Sequence, residues 1–166
     1  MNVDIRLCDA NENPVRVYEQ IAALIRAERP SSGTPSLAAI ARIAREDKWI
    51  LAYLGDELVG VLHLRILPTV YEDQFEGRIE RVTMAFKESH RNAFAIDGLL
   101  KRAIAVARRV PVTHIDAKNP APCFNQGPWF LSNGFAPADV NNYRIAWSRE
   151  ARTAALAATQ ASVPTA

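Results

Sequence analysis

The chain has 166 residues, 49% of them hydrophobic, and a formal charge of +2 from 20 basic and 18 acidic side chains. That size suits one domain around one core, and the scattered, nearly balanced charge argues against nucleic acid or a membrane surface as a partner. Cys8 and Cys123 are the only cysteines, too few for a disulfide framework and without metal-ligand spacing. With a polar N-terminus and no apolar run of membrane length, they point to a reducing, cytoplasmic setting.

Val3, Ile5 and Leu7 alternate with Asp4 and Arg6, which predicts a first strand. After turn residues Asp9 to Pro14, the spacing of Val17, Ile21, Leu24 and Ile25 predicts a helix that stops before Pro30. The segment ERPSSGTPS is a loop, and Leu37, Ile40, Ala41 and Ala44 predict a second, short helix capped by Ser36. WILAYLGDELVGVLHLRIL is two apolar runs about Gly55-Asp56, a hairpin setting Ile50, Ala52 and Leu54 against Leu58, Gly60, Leu62 and Leu64. PTVYEDQFEG follows as an acidic connection, and RIERVTMAF then alternates as a fourth strand, with Val82, Met84 and Phe86 on one side.

In ESHRNAFAIDGLLKRAIAVARR, Ile96, Leu99, Leu100, Ala103 and Ala107 form one helical stripe, with Lys101, Arg102, Arg108 and Arg109 elsewhere. Pro111 ends that helix, and VTHIDA is a strand returning parallel to the fourth, as a helical crossover requires. Gly127-Pro128 opens a short helix, PWFLSN, with Gly134 as its C-terminal cap. A hairpin from Phe135 to Trp147 closes the domain, taken as residues 1–148. Residues 149–166 form an Ala/Thr-rich tail of low complexity, a candidate contact for a homodimer or assembly.

This order resembles that of the GCN5-related N-acetyltransferase (GNAT) family from about Val3 to Trp147. WILAYLGDELVGVLHLR is similar to the family's second and third strands, and PWFLSNGFAPA to its late short helix ending in Gly-Phe. The resemblance implies a mixed α/β, mostly antiparallel sheet of six to seven strands with helices on both faces. It also implies transfer of an acetyl group from acetyl-CoA, or another acyl-CoA, to a small-molecule or peptide amine by direct attack.

Matching residue by residue, the resemblance places acyl-CoA along Val82, Met84 and Phe86, against the loop residues Arg91, Asn92, Ala93, Phe94, Ala95 and Ile96, and near Asn119 and Phe130. In such a loop, backbone N–H groups and the positive end of the helix dipole bind the pyrophosphate. The family's Arg-x-x-Gly-x-Gly, counted from Arg91, has Phe94 and Ile96 in place of its glycines. These residues add bulk where glycine permits close approach. The same segment also reads as an ordinary helix capped by Asn92 or Ser89.

Glu80 matches the strand-four glutamate that serves as general base in part of the family. Burial beside Met84 and Phe86 would raise its pKa toward a useful range. The plainer alternative is a solvated glutamate paired with Arg78 or Arg81. Phe130 stands where the family's leaving-group acid is a tyrosine, so that role is vacant unless Cys123, Tyr143 or water fills it. Asn119 equally suits an Asx turn before Pro120.

His63, His90 and His114 show no metal spacing, and no metal is implied. Glu72, Asp73 and Glu76 suit either a cationic amine or a solvated loop. The alternative from another functional class is a catalytically inactive protein of the same fold, used for binding or assembly.

Overall fold

The computed structural model describes residues 3–8, 14–28, 33–68, 75–79, 85–86, 93–110, 112–118, 127–139, 142–148, 150 and 153, and of residues 14, 28, 78, 79, 85, 86, 93–96 and 118 the backbone alone. Among them the elements run β1 (Asp4–Leu7), α1 (Pro14–Glu28), α2 (Leu37–Glu46), β2 (Lys48–Leu54), β3 (Glu57–Pro68), β4 (Phe75–Ile79), β5 (Ala85–Phe86), α3 (Ala93–Ala107), β6 (Val112–Lys118), α4 (Gly127–Ser132), β7 (Ala136–Pro137) and β8 (Asn142–Ala146). One sheet holds every strand in the order β1-β2-β3-β4-β6-β8-β7, with β5 on β3 beyond β4. Its pairings are antiparallel except β4 with β6, the pair joined through the α3 crossover.

Strand alternation gives the sheet two apolar faces. Trp49, Leu51, Tyr53, Leu58 and Val61 pack with Tyr18, Ile21 and Ile25 of α1 and Ile40 of α2. Ile50, Ala52, Leu62, Leu64, Ile115 and Ala117 pack with Leu99, Leu100 and Ala103 of α3 and Phe130 of α4. Leu99 and Leu100 are fully buried, and each such side chain contributes about 1.5–3 kcal/mol relative to leaving it exposed.

The β2–β3 hairpin forms about Gly55-Asp56, but its register is not the simple alternation of the sequence. Ala52 pairs with Gly60 and Tyr53 with Leu58, leaving Val59 as an extra residue. This bulge turns Leu58 to the α1 and α2 face, beside Val61, while Val59 joins the α3 face. Ser36 caps α2 as its residue type predicts, its Oγ accepting from the Ala39 N–H at 3.2 Å.

Two boundaries differ from the sequence expectation. Phe75, Glu76 and Gly77, read as loop, belong to β4. The single predicted fourth strand is two, β4 and β5, at different registers on β3. Residues 80–84 between them, and most of the C-terminal tail, lie outside the described residues.

Two glycines have specific structural duties. Gly134, after α4, has φ +86°, the left-handed conformation that ends a helix with least strain in glycine. Gly98, in α3, lies against β1, where an added Cβ would fall 2.9 Å from Ile5 Cγ1 and Cδ1. Gly98→Val is therefore expected to lower the unfolding free energy by about 1–3 kcal/mol through overpacking, read as a lower urea midpoint at unchanged slope.

Tyr53 is 8% exposed, and its hydroxyl donates to Gln20 Oε1 at 3.2 Å. Burial raises its pKa, against a smaller opposing effect of Arg6, whose guanidinium lies 5.1 Å from the ring centre. The folded pKa thus exceeds the unfolded one, so this contribution is intact below the ordinary tyrosine value of about 10. It is lost as pH rises through the folded pKa. Tyr53→Phe is expected to cost about 1 kcal/mol at neutral pH and to flatten the alkaline loss of stability in urea titrations across pH 8–11.

Candidate functional site

The register of the sheet singles out one location. Leu64 pairs with Ile79 and Val61 with Ala85, so three steps along β3 correspond to six along its partners. Among the described residues the parallel ladder of β4 and β6 runs through Arg78–Asp116 to Ile79–Ala117, and β5, on β3 at its own register, has no second strand partner.

Helix α3 begins at Ala93, with six residues between it and the end of β5. Its backbone is helical from that first residue, so Ala93, Phe94, Ala95 and Ile96 form its first turn. The leading N–H groups of a helix have no carbonyl of their own to bond, and they sit at the positive end of its dipole. Helical φ and ψ are ordinary for Phe and Ile, so the missing glycines impose no backbone strain at positions 94 and 96. The one glycine of the first turns, Gly98, serves packing against Ile5.

Phe130 is 1% exposed on α4. Its ring lies 5.5 Å from that of Phe135 and 5.2 Å from that of Tyr143. Asn133, after α4, donates to Asp97 Oδ1 of α3 at 2.7 Å and to the Trp129 carbonyl at 2.9 Å, which ties the short helix to the long one. Tyr143, on β8, pairs with Ala117, so Ile79, Ala117 and Tyr143 form one row across the sheet.

Of the residues singled out in the sequence, Phe86 lies on β5, Ala93 to Ile96 open α3, and Phe130 is in the buried aromatic cluster. The structure thus brings the α3 start, the Ile79–Ala117 pair and the Phe130 cluster to the same sheet and its α3 face. Glu80, Val82, Met84, Arg91, Asn92, Asn119 and Cys123 lie outside the described residues, as do His90, Glu72 and Asp73.

Two polar clusters went unseen in the sequence. His63 is 4% exposed, with its Nε2 2.8 Å from Asp47 Oδ2 and its ring 5.2 Å from that of Trp49. Asp47 also ends α2, donating its N–H to the Ile43 carbonyl, and its Oδ2 lies 3.6 Å from Arg65 Nε. A single histidine in the apolar run VGVLHLRIL was the available signal for a buried, paired imidazole.

Farther along the same face, a bulge in β6 opposite Glu76 sets His114 Nε2 3.5 Å from Glu76 Oε2 and 3.7 Å from Asp116 Oδ2. Thr113 Oγ1 is 2.8 Å from His114 Nδ1, and Arg144 donates to both Asp116 oxygens at 2.6 and 2.8 Å. That paired carboxylate raises the Arg144 pKa. Glu76 is therefore part of a sheet-face ion cluster rather than of a loop. Among the described residues no group of His, Cys, Asp and Glu has the geometry of a metal site, and no helix is long and apolar enough to cross a membrane.

No protein-family model matches the chain, and no curated protein sequence matches it. Solved structures do. An N-acetylglutamate synthase from Neisseria gonorrhoeae, complexed with coenzyme A and N-acetyl-glutamate, aligns over 90% of this chain at 19% identity and TM-score 0.64. The chain spans 36% of that longer protein. An aminoglycoside acetyltransferase from an uncultured soil metagenomic sample, in complex with sisomicin, aligns over 88% of this chain and 94% of its own at 14% identity and TM-score 0.67. A ribosomal-protein-alanine N-acetyltransferase from Brucella melitensis biovar Abortus 2308 aligns over 89% of this chain and all of its own at 19% identity and TM-score 0.62. At such identities the likeness is one of fold, and it joins the same strand order and the same α3 crossover read from the sequence: the chain is a GNAT-fold protein.

Proposed function

We propose that this protein transfers an acyl group, acetyl in the simplest case, from an acyl-CoA to a primary amine by direct attack. The observation that carries the proposal is the three-position step in register between β4 and β5 on β3, followed in the chain by the first turn of α3. A pantetheine arm can hydrogen-bond to strand edges that such a step turns away from one another, and a pyrophosphate suits the N–H groups of a helix start. The residues that would hold it are Val82, Met84 and Phe86 on the strand side, Arg91 to Ile96 at the helix start, and Asn119 and Phe130 on the far side. The helical backbone of residues 93–96 supports this fit without glycine.

Glu80 follows Ile79 of β4 in the sequence, and we assign it the role of base toward the amine. The acceptor is a small-molecule or peptide amine. The similar structures are an N-acetylglutamate synthase, an aminoglycoside acetyltransferase and a ribosomal-protein-alanine N-acetyltransferase, so glutamate, aminoglycosides and peptides with an N-terminal alanine form the first panel to test.

Acetyl-CoA at about 100 times its dissociation constant is expected to add roughly 2.7 kcal/mol of stability, visible by thermal shift and calorimetry. Arg91→Glu should abolish that binding. No binding at millimolar acetyl-CoA in the unmodified protein would instead support an inactive binding protein of this fold. With a turned-over amine in hand, Glu80→Gln is expected to lower kcat by about 100-fold or more while leaving acetyl-CoA affinity unchanged. Unaltered kcat would remove Glu80 from the mechanism.

A further inference from the structure

We propose that the cleft between the start of α1 and the β1–β2 edge of the sheet binds a small organic carboxylate, gripped by Arg16, Arg6 and the Gln20 amide. The cleft measures about 450 Å³ and is lined by Arg6 of β1, Arg16, Val17 and Gln20 of α1, Tyr53 of β2 and the Gly55-Asp56 turn. Small-molecule sites commonly span about 300–1,000 Å³. It lies on the α1 and α2 face, whereas α3, whose start is assigned to acyl-CoA above, packs on the opposite face. The site is therefore separate from the acyl-transfer reading and does not rest on it.

The polar groups of the cleft are unevenly committed. Tyr53 is buried, and its hydroxyl donates to Gln20 Oε1 at 3.2 Å. That bond uses the amide oxygen of Gln20, while its two Nε2 hydrogens have no acceptor among the described residues. Arg16 stands exposed in the first turn of α1 and makes no ion pair or hydrogen bond among the described residues. Arg6 reaches over the Tyr53 ring, 5.1 Å from its centre, and pairs with Asp4 of its own strand at 2.6 Å. Burial raises the Tyr53 pKa, and Arg6 and Arg16 both oppose that rise, so the two guanidinium groups lie within electrostatic reach of one hydroxyl.

The charges select the ligand. A guanidinium presents paired N–H donors that match the two oxygens of a carboxylate. Arg6 already shares its charge with Asp4, and Asp56 adds a carboxylate to the lining. The one uncommitted positive charge, that of Arg16, suits a monoanion, and Asp56 opposes a phosphate dianion. Val17 and the Tyr53 ring supply an apolar wall for the body of the ligand. An added Cβ at Gly55 would meet nothing within 4 Å, so the turn does not close the cleft.

The probe for the test is benzoate, which joins a carboxylate to a flat apolar body, with benzamide as its neutral counterpart. Binding is followed by amide chemical shifts in proton–nitrogen correlation spectra of the full chain, which require no enzymatic activity. Benzoate is expected to bind saturably, with the largest shifts at Arg16, Val17, Gln20 and Gly55. Benzamide and inorganic phosphate are expected to bind more weakly by about tenfold or more. Two variants carry the assignment, after thermal melts establish that each folds. Arg16→Gln removes the uncommitted charge, and Gln20→Glu keeps an oxygen for the Tyr53 hydroxyl while replacing the Nε2 donors with a second oxygen. Each should weaken benzoate by about tenfold or more. Arg42→Gln makes the same charge change on α2, at an exposed residue paired with Glu46, and should leave benzoate affinity as it is. The proposal is overturned by the absence of saturable benzoate shifts in the wild type, by equal binding of benzamide or phosphate, by undiminished binding in Arg16→Gln or Gln20→Glu, or by an equal loss in Arg42→Gln.

Discussion

A strand has only two hydrogen-bonding edges, and β3 gives one to β2 and divides the other between β4 and β5. Its 12 residues are long enough to take both partners, but the two pairings differ by three positions in register. A chain that changes register along one edge cannot keep its other edge in step with a neighbour. Among the described residues the β4–β6 ladder runs to Ile79–Ala117, and β6 keeps its pairing with β8 to Lys118–Asn142. The acyl-transfer reading proposed above starts from that step in register, which lies along a β3 whose residues from Leu58 to Leu64 are in the core on one face or the other.

The second constraint is the start of α3. Anion binding at a helix N-terminus is a property of unpaired N–H groups and the dipole. Glycine assists where the backbone must take unusual dihedrals or a phosphate must approach closely. From Ala93 the backbone is already helical, so the first assistance is not needed at Phe94 and Ile96. The residue where glycine is required is Gly98, one turn farther on, for the contact with Ile5. A glycine-poor sequence and a usable helix N-terminus are thus compatible, because two different physical demands fall on different residues.

Much of the fold was legible because it rests on periodicity and caps. The Leu99, Leu100, Ala103 and Ala107 stripe, the Ser36 cap, the Gly134 terminator and the parallel return of β6 all follow from local rules that the tertiary structure does not override. The sequence could not reveal what depends on register. The extra residue at Val59 reverses the facing of Leu58, and an alternating pattern looks the same with or without it until the partner strand is known. The division of strand four into β4 and β5 was hidden for the same reason. Long-range polar pairs were hidden too, since Asp47 and His63 are 16 positions apart and meet only once α2 lies on the sheet.

The aromatic cluster joins these constraints to chemistry. Phe130 comes from α4, Phe135 from the chain just after it, and Tyr143 from β8, so the stack is fixed by a helix, its terminator and a strand at once. Most of the energy of such a cluster comes from ring area and ring geometry, and a phenol and a phenyl contribute nearly alike. A single hydroxyl can therefore sit on one ring or its neighbour without changing how the cluster packs. It does change where a proton is available. Of the three rings only that of Tyr143 belongs to a strand, in the row Ile79–Ala117–Tyr143, so packing would tolerate the hydroxyl on either ring and register fixes where the cluster's one hydroxyl stands.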